Sequence, residues 1–249
     1  MDITARTVFI AGATSGIGRE LARRFREAGS TVVIGGRDGT ALADLAAKGF
    51  DTVRIDVTDP DSVTTARDAV LSRRPELDTI ITMAGVLHQE DLRDPAHFAT
   101  AEATVETNLL GTIRVIDAFT PHLLARGSGT IITVTSGIAY LPFPPMATYA
   151  ASKAGVHAYT EALRAQLAPA GIEVVELVPP AVAAAGQERV NPHALPLDVF
   201  ADEVMALLSQ DPTPRQILVE AVQMHRWAEK NGTYDELVEA RSRMLTAAD

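Results

Sequence analysis

Short runs of β-branched and other apolar residues alternate along this chain with longer segments of helical periodicity. This alternation predicts an α/β fold, a Rossmann-like doubly wound parallel sheet of about seven strands with helices on both faces. The predicted strands are 7–11, 31–35, 52–56, 79–83, 129–135, 172–178 and 216–219. After a first helix that Gly29 closes as a C-cap, the predicted helices are 39–48, 60–74, 97–125, 148–169, 197–209, 221–230 and 233–246.

Length and composition predict one domain. The chain has 249 residues, of which 47% are hydrophobic, so it can bury a large core, and α/β proteins of this length often form a single domain. We therefore predict one domain over 1–249, with a C-terminal helical extension near 220–246. Two irregular stretches rich in Pro and Ala, 139–147 and 179–197, are predicted to be substrate loops, because long loops at strand C-termini usually carry function.

Composition also argues against several kinds of site and partner. The N-terminus shows no signal-peptide pattern and no run of about 18 apolar residues is present, so a cytoplasmic protein without a membrane span is expected. The chain has no cysteine, and its six histidines show no metal-ligand spacing, so no metal site is expected. A net charge of -10 argues against a nucleic-acid partner, which would need a basic face.

Three glycines, Gly12, Gly16 and Gly18, occupy the turn between the first predicted strand and the helix that follows. Such a turn lets the pyrophosphate of a dinucleotide approach backbone amides at a helix N-terminus. The spacing is G-x-x-x-G-x-G rather than the commoner G-x-G-x-x-G. Taken alone, the cluster fits an ordinary tight turn equally well.

The end of the second predicted strand bears on which dinucleotide is bound. Folds that prefer NAD place an acid there for the ribose 2′-OH, and Gly36 stands where that acid is expected. The guanidinium of Arg37 can fork onto the 2′-phosphate of NADP while stacking on the adenine. The alternative is a solvated arginine that starts the next helix. The pattern favours NADP(H) as the cofactor and leaves NAD(H) open.

Tyr149 and Lys153 are four residues apart, which places a phenol and an amine on one face of a helix. A nearby cation lowers the pKa of a tyrosine, and such a tyrosine can deliver or accept a proton. With three lysines and four tyrosines in the chain, chance predicts roughly 0.05 such pairs. The alternative is two residues on a solvated helix face.

Two further polar residues fit the same chemistry. Ser136 ends an apolar predicted strand, where its hydroxyl can bond a substrate oxygen as charge develops. Asn108 lies in a long helical pattern, in which Asn is a mediocre helix former, and it can bridge a water to a site. Either residue alone also fits a structural role.

Together these stretches resemble one family, the short-chain dehydrogenases/reductases, over nearly the whole chain up to about 180. Residues 12–18 resemble its cofactor loop, 56–57 its adenine-contacting pair, and Asn108, Ser136, Tyr149 and Lys153 match its catalytic tetrad in order. Stretches 196–200 and 225–228 resemble a bacterial subgroup named after an oxidoreductase of the D-alanine lipoteichoic acid operon. The resemblance implies that the cofactor-binding residues are Gly12, Thr14, Ser15, Gly16, Ile17, Gly18, Arg37, Asp56, Val57, Ala84, Gly85, Tyr149, Lys153, Pro179 and Val182.

The resemblance also implies roles for the tetrad. Tyr149 is expected to protonate the carbonyl oxygen in reduction, while Lys153 lowers the pKa of Tyr149 and holds the nicotinamide ribose. Ser136 is expected to polarise the substrate carbonyl, and Asn108 to fix a water that links Lys153 to solvent. The hydride belongs to the cofactor, and the protein positions it.

Three positions depart from the family pattern. Met83 replaces the Asn of its Asn-Ala-Gly stretch, Pro180 replaces the Gly of its Pro-Gly pair, and Ala184 replaces a Thr that often contacts the carboxamide. Nicotinamide orientation is then expected to rest on backbone groups around Val182. The tetrad is intact, so the departures concern rate and cofactor affinity rather than the type of reaction.

Residues between the expected Ser and Tyr predict one apolar wall of a substrate pocket. They are Tyr140, Leu141, Phe143 and Met146, stiffened by Pro142, Pro144 and Pro145. The alternative is that these side chains only pack the loop onto the following helix. The prediction is a carbonyl substrate with substantial apolar surface.

The main functional hypothesis is an NADPH-dependent reductase of a ketone, or the reverse oxidation of a secondary alcohol. Three alternatives stay open: an NAD-linked secondary-alcohol dehydrogenase, a cofactor-binding regulatory or scaffold protein, and a redox-neutral lyase or isomerase on the same fold. The resemblance further implies a homodimer or homotetramer that associates through the helices 97–125 and 148–169. The expected partner otherwise is a small-molecule carbonyl or alcohol.

Overall fold

The computed structural model describes residues 1–184, 191 and 193–246. In chain order the strands are β1 (Thr7–Ala11), β2 (Thr31–Gly36), β3 (Asp51–Arg54), β4 (Thr79–Thr82), β5 (Gly129–Val134), β6 (Ile172–Leu177), β7 (Val182–Ala183), β8 (Leu195–Pro196) and β9 (Gln216–Ile217). The helices are α1 (Gly16–Glu27), α2 (Gly39–Ala47), α3 (Pro60–Arg73), α4 (His97–Val105), α5 (Gly111–Arg126), α6 (Ala147–Leu167), α7 (Leu197–Leu208), α8 (Gln223–Arg226) and α9 (Tyr234–Thr246).

Seven strands form one parallel sheet in the order β3-β2-β1-β4-β5-β6-β9, and β7 pairs with β8 apart from it. The predicted seven-stranded doubly wound fold is confirmed. The strand order reverses between β1 and β4, and sheets of this kind bind ligands in the crevice outside the carboxyl ends at such a point. The topology therefore places the glycine turn after β1 and the segment after β4 beside each other.

Both faces of the sheet are covered, which is why the strands are apolar runs rather than alternating patterns. All five residues of β1 are buried. Val8 and Ile10 belong to the core cluster that includes Phe25 of α1. Phe9 faces the other way, and its ring centroid lies 5.0 Å from that of Phe119 in α5. Burial on both faces stabilises the sheet that positions the crevice.

The first helix ends as predicted. Gly29 has φ +108, and the Ser30 amide donates to the Phe25 carbonyl at 2.9 Å. A left-handed residue just past a helix lets the chain reverse and satisfies carbonyls that would otherwise lack a donor. The reversal brings the chain directly into β2.

The helix predicted over 97–125 is not continuous. Glu106–Leu110 form one π-helical turn between α4 and α5. A π turn holds one extra residue in the helical ladder and is frequent at functional sites. Asn108 lies inside this turn, and its side chain is hydrogen-bonded outside its own helix.

Several predicted boundaries are also wrong by one or two residues. Five strands end before their predicted carboxyl ends: 52–56, 79–83, 129–135, 172–178 and 216–219. Backbone bonding continues past some of these ends, as from the Met83 amide to the Ala11 carbonyl (2.9 Å), but the chain there already turns toward the crevice. The helix predicted at 221–230 is shortened to a 3-10 turn, Glu220–Val222, followed by α8.

The predicted loop 179–197 is described only in part, since 185–190 and 192 lie outside the described residues. Its described portion includes the short strands β7 and β8.

No helix among the residues that the structure covers is long and apolar enough to cross a membrane.

Candidate active site

A cavity of about 930 Å³ lies at the carboxyl ends of the central strands. It brings together most of the predicted site residues from seven separate stretches of sequence. Those that line it are Gly12, Thr14, Ser15, Gly16, Ile17, Gly18, Arg37, Val57, Ala84, Gly85, Ser136, Tyr149, Lys153, Pro179 and Val182. Two predicted site residues, Asp56 and Asn108, lie behind its walls.

The glycine turn leaves no room for side chains. A Cβ on Gly12, which has φ +96, would lie 2.4 Å from the Ala84 nitrogen, and a Cβ on Gly18 would lie 2.4 Å from the Gly12 oxygen. Ser15 is the N-cap of α1, but its side chain makes no capping hydrogen bond. The amides at this helix terminus are therefore not capped by the Ser15 side chain. First-turn amides of a helix attract anions. This turn therefore fits the pyrophosphate of a dinucleotide.

Gly36 at the end of β2 is packed against the glycine turn. A Cβ on Gly36 would lie 2.4 Å from Thr14 Cγ2. An acid at this position would therefore have to displace Thr14. The neighbouring carboxylate, Asp38, accepts from the amides of Thr40 and Ala41 as the N-cap of α2.

Arg37 lines the cavity with its side chain 59% exposed, and its Nη1 lies 3.9 Å from Asp56 Oδ2. The other carboxylate oxygen of Asp56 accepts from the Thr58 amide (3.0 Å) and hydroxyl (2.8 Å). Asp56 therefore stabilises the turn after β3, and it reaches the cavity only through Arg37. Direct contact between Asp56 and adenine stays a prediction.

Tyr149 and Ser136 form the polar centre of the cavity. Burial raises the pKa of Tyr149 to about 12, and a hydrogen bond with Ser136 opposes that rise. The Ser136 hydroxyl also accepts weakly from the Ile138 amide at 3.4 Å. The Tyr149 phenol is therefore protonated at neutral pH, which suits a general acid.

That Lys153 lowers the pKa of Tyr149 stays a prediction, because the net shift of that pKa here is upward and comes from burial. Lys153 Nζ donates to the Val134 carbonyl at 2.9 Å and lies 5.8 Å from the centroid of the Tyr149 ring. Burial lowers the pKa of Lys153 to about 8. At both groups the loss of hydration favours the neutral form.

Asn108 joins the loop after β4 to α6. Its Oδ1 accepts from the Val86 amide (2.8 Å), and its Nδ2 donates to the Val86 carbonyl (2.9 Å) and to Ser152 Oγ (3.2 Å). A Cβ on Gly85 would lie 3.1 Å from Asn108 Oδ1 and 3.7 Å from Lys153 Nζ. The Asn108 side chain thus holds the cavity wall, and its bridging of a water stays a prediction.

The three departures from the family pattern all line the cavity. Met83 Cγ would be 3.0 Å from a Cβ on Gly18, so the methionine packs against the glycine turn. Pro180 and Ala184 lie near Val182, which is buried in β7. The departures thus add apolar surface around the cofactor-binding end.

The predicted apolar wall is half correct. Phe143 and Met146 line the cavity, but Tyr140 and Leu141 do not. The Tyr140 hydroxyl donates to Glu176 Oε1 at 2.7 Å, and Leu141 is completely buried. Tyr140 turns away because a buried carboxylate on β6 offers its hydroxyl a stronger partner than a cavity wall does.

Comparison with known proteins identifies the family. The family model described as short chain dehydrogenase matches residues 6–194. This chain belongs to the short-chain dehydrogenase family. As a member of that family it is an NAD(P)-dependent oxidoreductase, and the resemblance seen in its motifs is confirmed.

Particular members show how far the likeness of this short-chain dehydrogenase extends. It is 32% identical to the uncharacterized oxidoreductase DltE of Bacillus subtilis (strain 168) over 185 residues, 73% of each chain. A short chain dehydrogenase from Burkholderia cenocepacia J2315 in complex with NADP superposes with a TM-score of 0.83 at 27% identity, over 96% of this chain and 99% of that one. The 3-ketoacyl-(acyl-carrier-protein) reductase from Brucella melitensis complexed with NADH gives a TM-score of 0.76 at 27% identity, over 88% and 95%.

Sequence reasoning missed several cavity residues of this short-chain dehydrogenase. Thr107 and Ile138 adjoin predicted site residues, so proximity in sequence was a usable signal. His225 and Arg241 line the cavity from α8 and α9. Stretch 225–228 was noted only for its likeness to a subgroup, and no motif or spacing placed either side chain at the cavity. Only the folding of the C-terminal segment over the 139–147 loop brings them there.

Glu90 stabilises the helix of the short-chain dehydrogenase that presents Tyr149. Its carboxylate, 1% exposed, accepts from the Thr148 amide and hydroxyl, both at 2.8 Å. Met146, the N-cap of α6, offers no side-chain cap, so Glu90 supplies the cap from a distant loop. A carboxylate at a helix N-terminus satisfies an amide and complements the helix dipole.

Replacing Glu90 with Ala is expected to destabilise the protein by about 1–2 kcal/mol, the usual cost of a lost cap. The measurement is thermal unfolding with and without cofactor. Asp91→Ala is the matched control, since Asp91 is exposed and bonds only to Arg93 among the described residues. Equal melting temperatures for both variants would contradict the capping role.

Proposed function

We propose that this protein is an NADPH-dependent reductase of a ketone with substantial apolar surface, and that Tyr149 protonates the carbonyl oxygen. The observation that carries the proposal is that a proton donor, a hydroxyl and a turn suited to a dinucleotide meet in one cavity. A phenol protonated at neutral pH and the Ser136 hydroxyl line the same cavity as a glycine turn suited to a pyrophosphate. Phe143 and Met146 supply apolar contact for the body of the substrate.

The proposed chemistry divides between cofactor and protein. The bound cofactor supplies the hydride that reduces the carbonyl carbon. The carbonyl π electrons then form the new O–H bond with the proton of Tyr149, and the alcohol leaves a phenolate behind. Ser136 donates to the same oxygen as negative charge develops there, and Lys153 in its charged form stabilises the phenolate.

The preference for NADPH rests on the end of β2. Thr14 fills the space where an acid would approach the ribose 2′-OH, and the guanidinium of Arg37 is exposed to the cavity. An exposed guanidinium can bind a 2′-phosphate by two parallel hydrogen bonds. The NADP complex of the Burkholderia protein is consistent with this choice.

An NAD-linked secondary-alcohol dehydrogenase is the second candidate. The proximity of Asp56 to Arg37 favours it, because that carboxylate competes with a phosphate for the guanidinium. The Brucella protein, a relative of similar fold, is complexed with NADH. Titration of the purified protein with NADPH and NADH, followed by absorbance of the reduced nicotinamide with a mixed ketone panel, decides between the two.

Replacing Arg37 with Ala is expected to weaken NADPH binding by about 10- to 100-fold, the cost of a charge-assisted hydrogen bond. NADH binding should change by less than about threefold, since NADH has no 2′-phosphate. Fluorescence titration measures both dissociation constants. Arg126→Ala, which removes an exposed arginine of α5 outside the cavity, controls for net charge. Equal losses for the two cofactors in Arg37→Ala would refute the phosphate role.

The single-domain organisation and the homodimer or homotetramer stay predictions. Phe98 of α4 and Leu124 of α5 are exposed large apolar side chains on the segment predicted to associate. These side chains support the oligomer proposal, because an interface would remove their surface from water.

A further inference from the structure

Two residues from the C-terminal segment line the catalytic end of the cavity. A Cβ on Gly137, the residue after Ser136, would lie 3.2 Å from His225 Cγ. Arg241 Nη1 donates to the carbonyls of Leu141 and Pro142, the latter at 3.1 Å. Both residues thus adjoin the segment between Ser136 and Tyr149, whereas Arg37 lines the cavity from the end of β2.

Within the part of the chain that the structure describes, Arg241 has no counter-charge. It is half-buried, its hydrogen bonds to described residues use Nη1 alone, and no carboxylate in the described ranges pairs with it. Burial lowers the pKa of Arg241, which reflects the cost of desolvating a cation. A partly buried guanidinium with unused N–H groups is stabilised by an anion that enters the cavity.

His225 offers a second hydrogen-bonding group beside that guanidinium. Its Nδ1 is buried and has no hydrogen-bond partner among the described residues. Burial, and to a lesser extent the charge of Arg241, lower the pKa of His225 to about 4. The imidazole is therefore neutral at pH 7, and with hydrogen on Nε2, its other ring nitrogen, it can donate to an oxyanion in the cavity that it lines.

We infer that Arg241 and His225 form a subsite for an oxyanion carried by the substrate, so that the preferred substrate is a ketone with an acidic group at the far end of an apolar body. This inference rests on the proposed ketone reduction and names its substrate class. The guanidinium binds the carboxylate, sulfonate or phosphate oxygens, and His225 donates one further hydrogen bond. Phe143 and Met146 contact the apolar carbons between the oxyanion and the carbonyl.

The test compares 5-oxohexanoate with its methyl ester, which has the same ketone and chain but no charge. In the wild type, the keto acid should have a KM at least about 10-fold below that of the ester. Arg241→Gln, whose amide can still bond the loop carbonyls, should abolish that difference by raising the KM of the acid alone. Arg241→Lys should restore most of it. Arg243→Gln, an exposed arginine of the same helix paired with Glu239, is the matched control and should keep it.

Two results would overturn the subsite: a wild type with a lower KM for the ester than for the acid, or an Arg241→Gln variant in which the KM values of acid and ester rise equally. Should Arg241→Gln fail to fold, His225→Phe leaves Arg241 in place and should raise the KM of the acid by about threefold. If the ratio of the acid KM to the ester KM were unchanged in His225→Phe, that result would count against the proposal.

Binding of butane-1-sulfonate, measured by isothermal titration without turnover, separates this inference from the proposed function. If the wild type binds the sulfonate and Arg241→Gln does not, the subsite is supported, whether or not any ketone is reduced. If no ketone is reduced, that failure refutes only the reductase. Reduction of the ester without sulfonate binding supports the reductase and refutes the subsite.

Discussion

Replacing Tyr149 with Phe is expected to lower kcat for ketone reduction by about 10²- to 10⁴-fold, the usual contribution of a positioned general acid. The substitution removes one oxygen from a ring that lines the cavity, and the phenol it removes has its pKa raised by burial to about 12. The free-energy equivalent is about 3–5 kcal/mol of transition-state stabilisation.

The measurement is single-turnover oxidation of bound NADPH, alongside a titration of NADPH binding. Tyr149→Phe should leave the NADPH dissociation constant within about threefold, because the ring remains and only the hydroxyl is lost. Tyr159→Phe is the matched control: it removes a hydroxyl of the same helix that faces Asp117 at 3.4 Å and lies outside the cavity. A Tyr149→Phe enzyme with wild-type kcat would exclude Tyr149 as the proton donor.

Replacing Glu176 with Ala is expected to destabilise the fold by about 3–5 kcal/mol, because Glu176 is a buried carboxylate with four partners. Its Oε1 accepts from the hydroxyls of Thr135 and Tyr140, both at 2.7 Å. Its Oε2 accepts from Gln216 Nε2 at 2.7 Å and faces His157 Nδ1 at 2.9 Å. The Ala variant removes the buried acceptor that these four groups share.

Thermal unfolding measures the loss, which should lower the melting temperature by roughly 10 °C for a chain of this length. Glu173→Ala, an exposed position on the same strand, is the control and should change it little. Because Thr135 lines the cavity beside Ser136, Glu176→Ala should also raise the KM of the ketone. An Ala variant as stable as the control would contradict the role of this network.

The pH dependence of that stabilisation has a definite sign. Burial alone would raise the pKa of Glu176, but hydrogen bonds with His157, Gln216 and Tyr140 outweigh it and lower the pKa below its usual value of 4.5. A folded-state pKa below the unfolded one stabilises the protein above the unfolded value. The stability difference between wild type and Glu176→Gln should therefore shrink as the pH falls below 4.5.

Local patterns determined the fold class, the glycine turn and the positions of Tyr149 and Lys153. Glycines between an apolar strand and an amphipathic helix, and a Tyr and Lys four residues apart, depend on spacing along one or two elements. The backbone geometry of a strand, a turn or a helix converts such spacing into position with little help from the rest of the chain. For that reason Gly12, Gly18, Tyr149 and Lys153 line the cavity as predicted.

Interactions between distant elements decided the rest, and no local pattern contains them. The π turn that interrupts 97–125 forms where the Asn108 side chain bonds Val86, 22 residues away. Tyr140 leaves the predicted apolar wall because Glu176 is buried beside it. The pKa of Tyr149 is raised because the burial that tertiary packing imposes exceeds the opposing effect of the hydrogen bond with Ser136.

In the C-terminal segment, too, local pattern predicted the helices and distant contacts decided which side chains reach the cavity. Its helices follow from periodicity, but only the packed tertiary structure brings His225 and Arg241 to the cavity. Arg241 bonds carbonyls that lie 99 and 100 residues away in sequence. Spacing within one element determined where the glycine turn and Tyr149 lie, whereas the position of Arg241 at the cavity was decided by contacts that close long loops of chain.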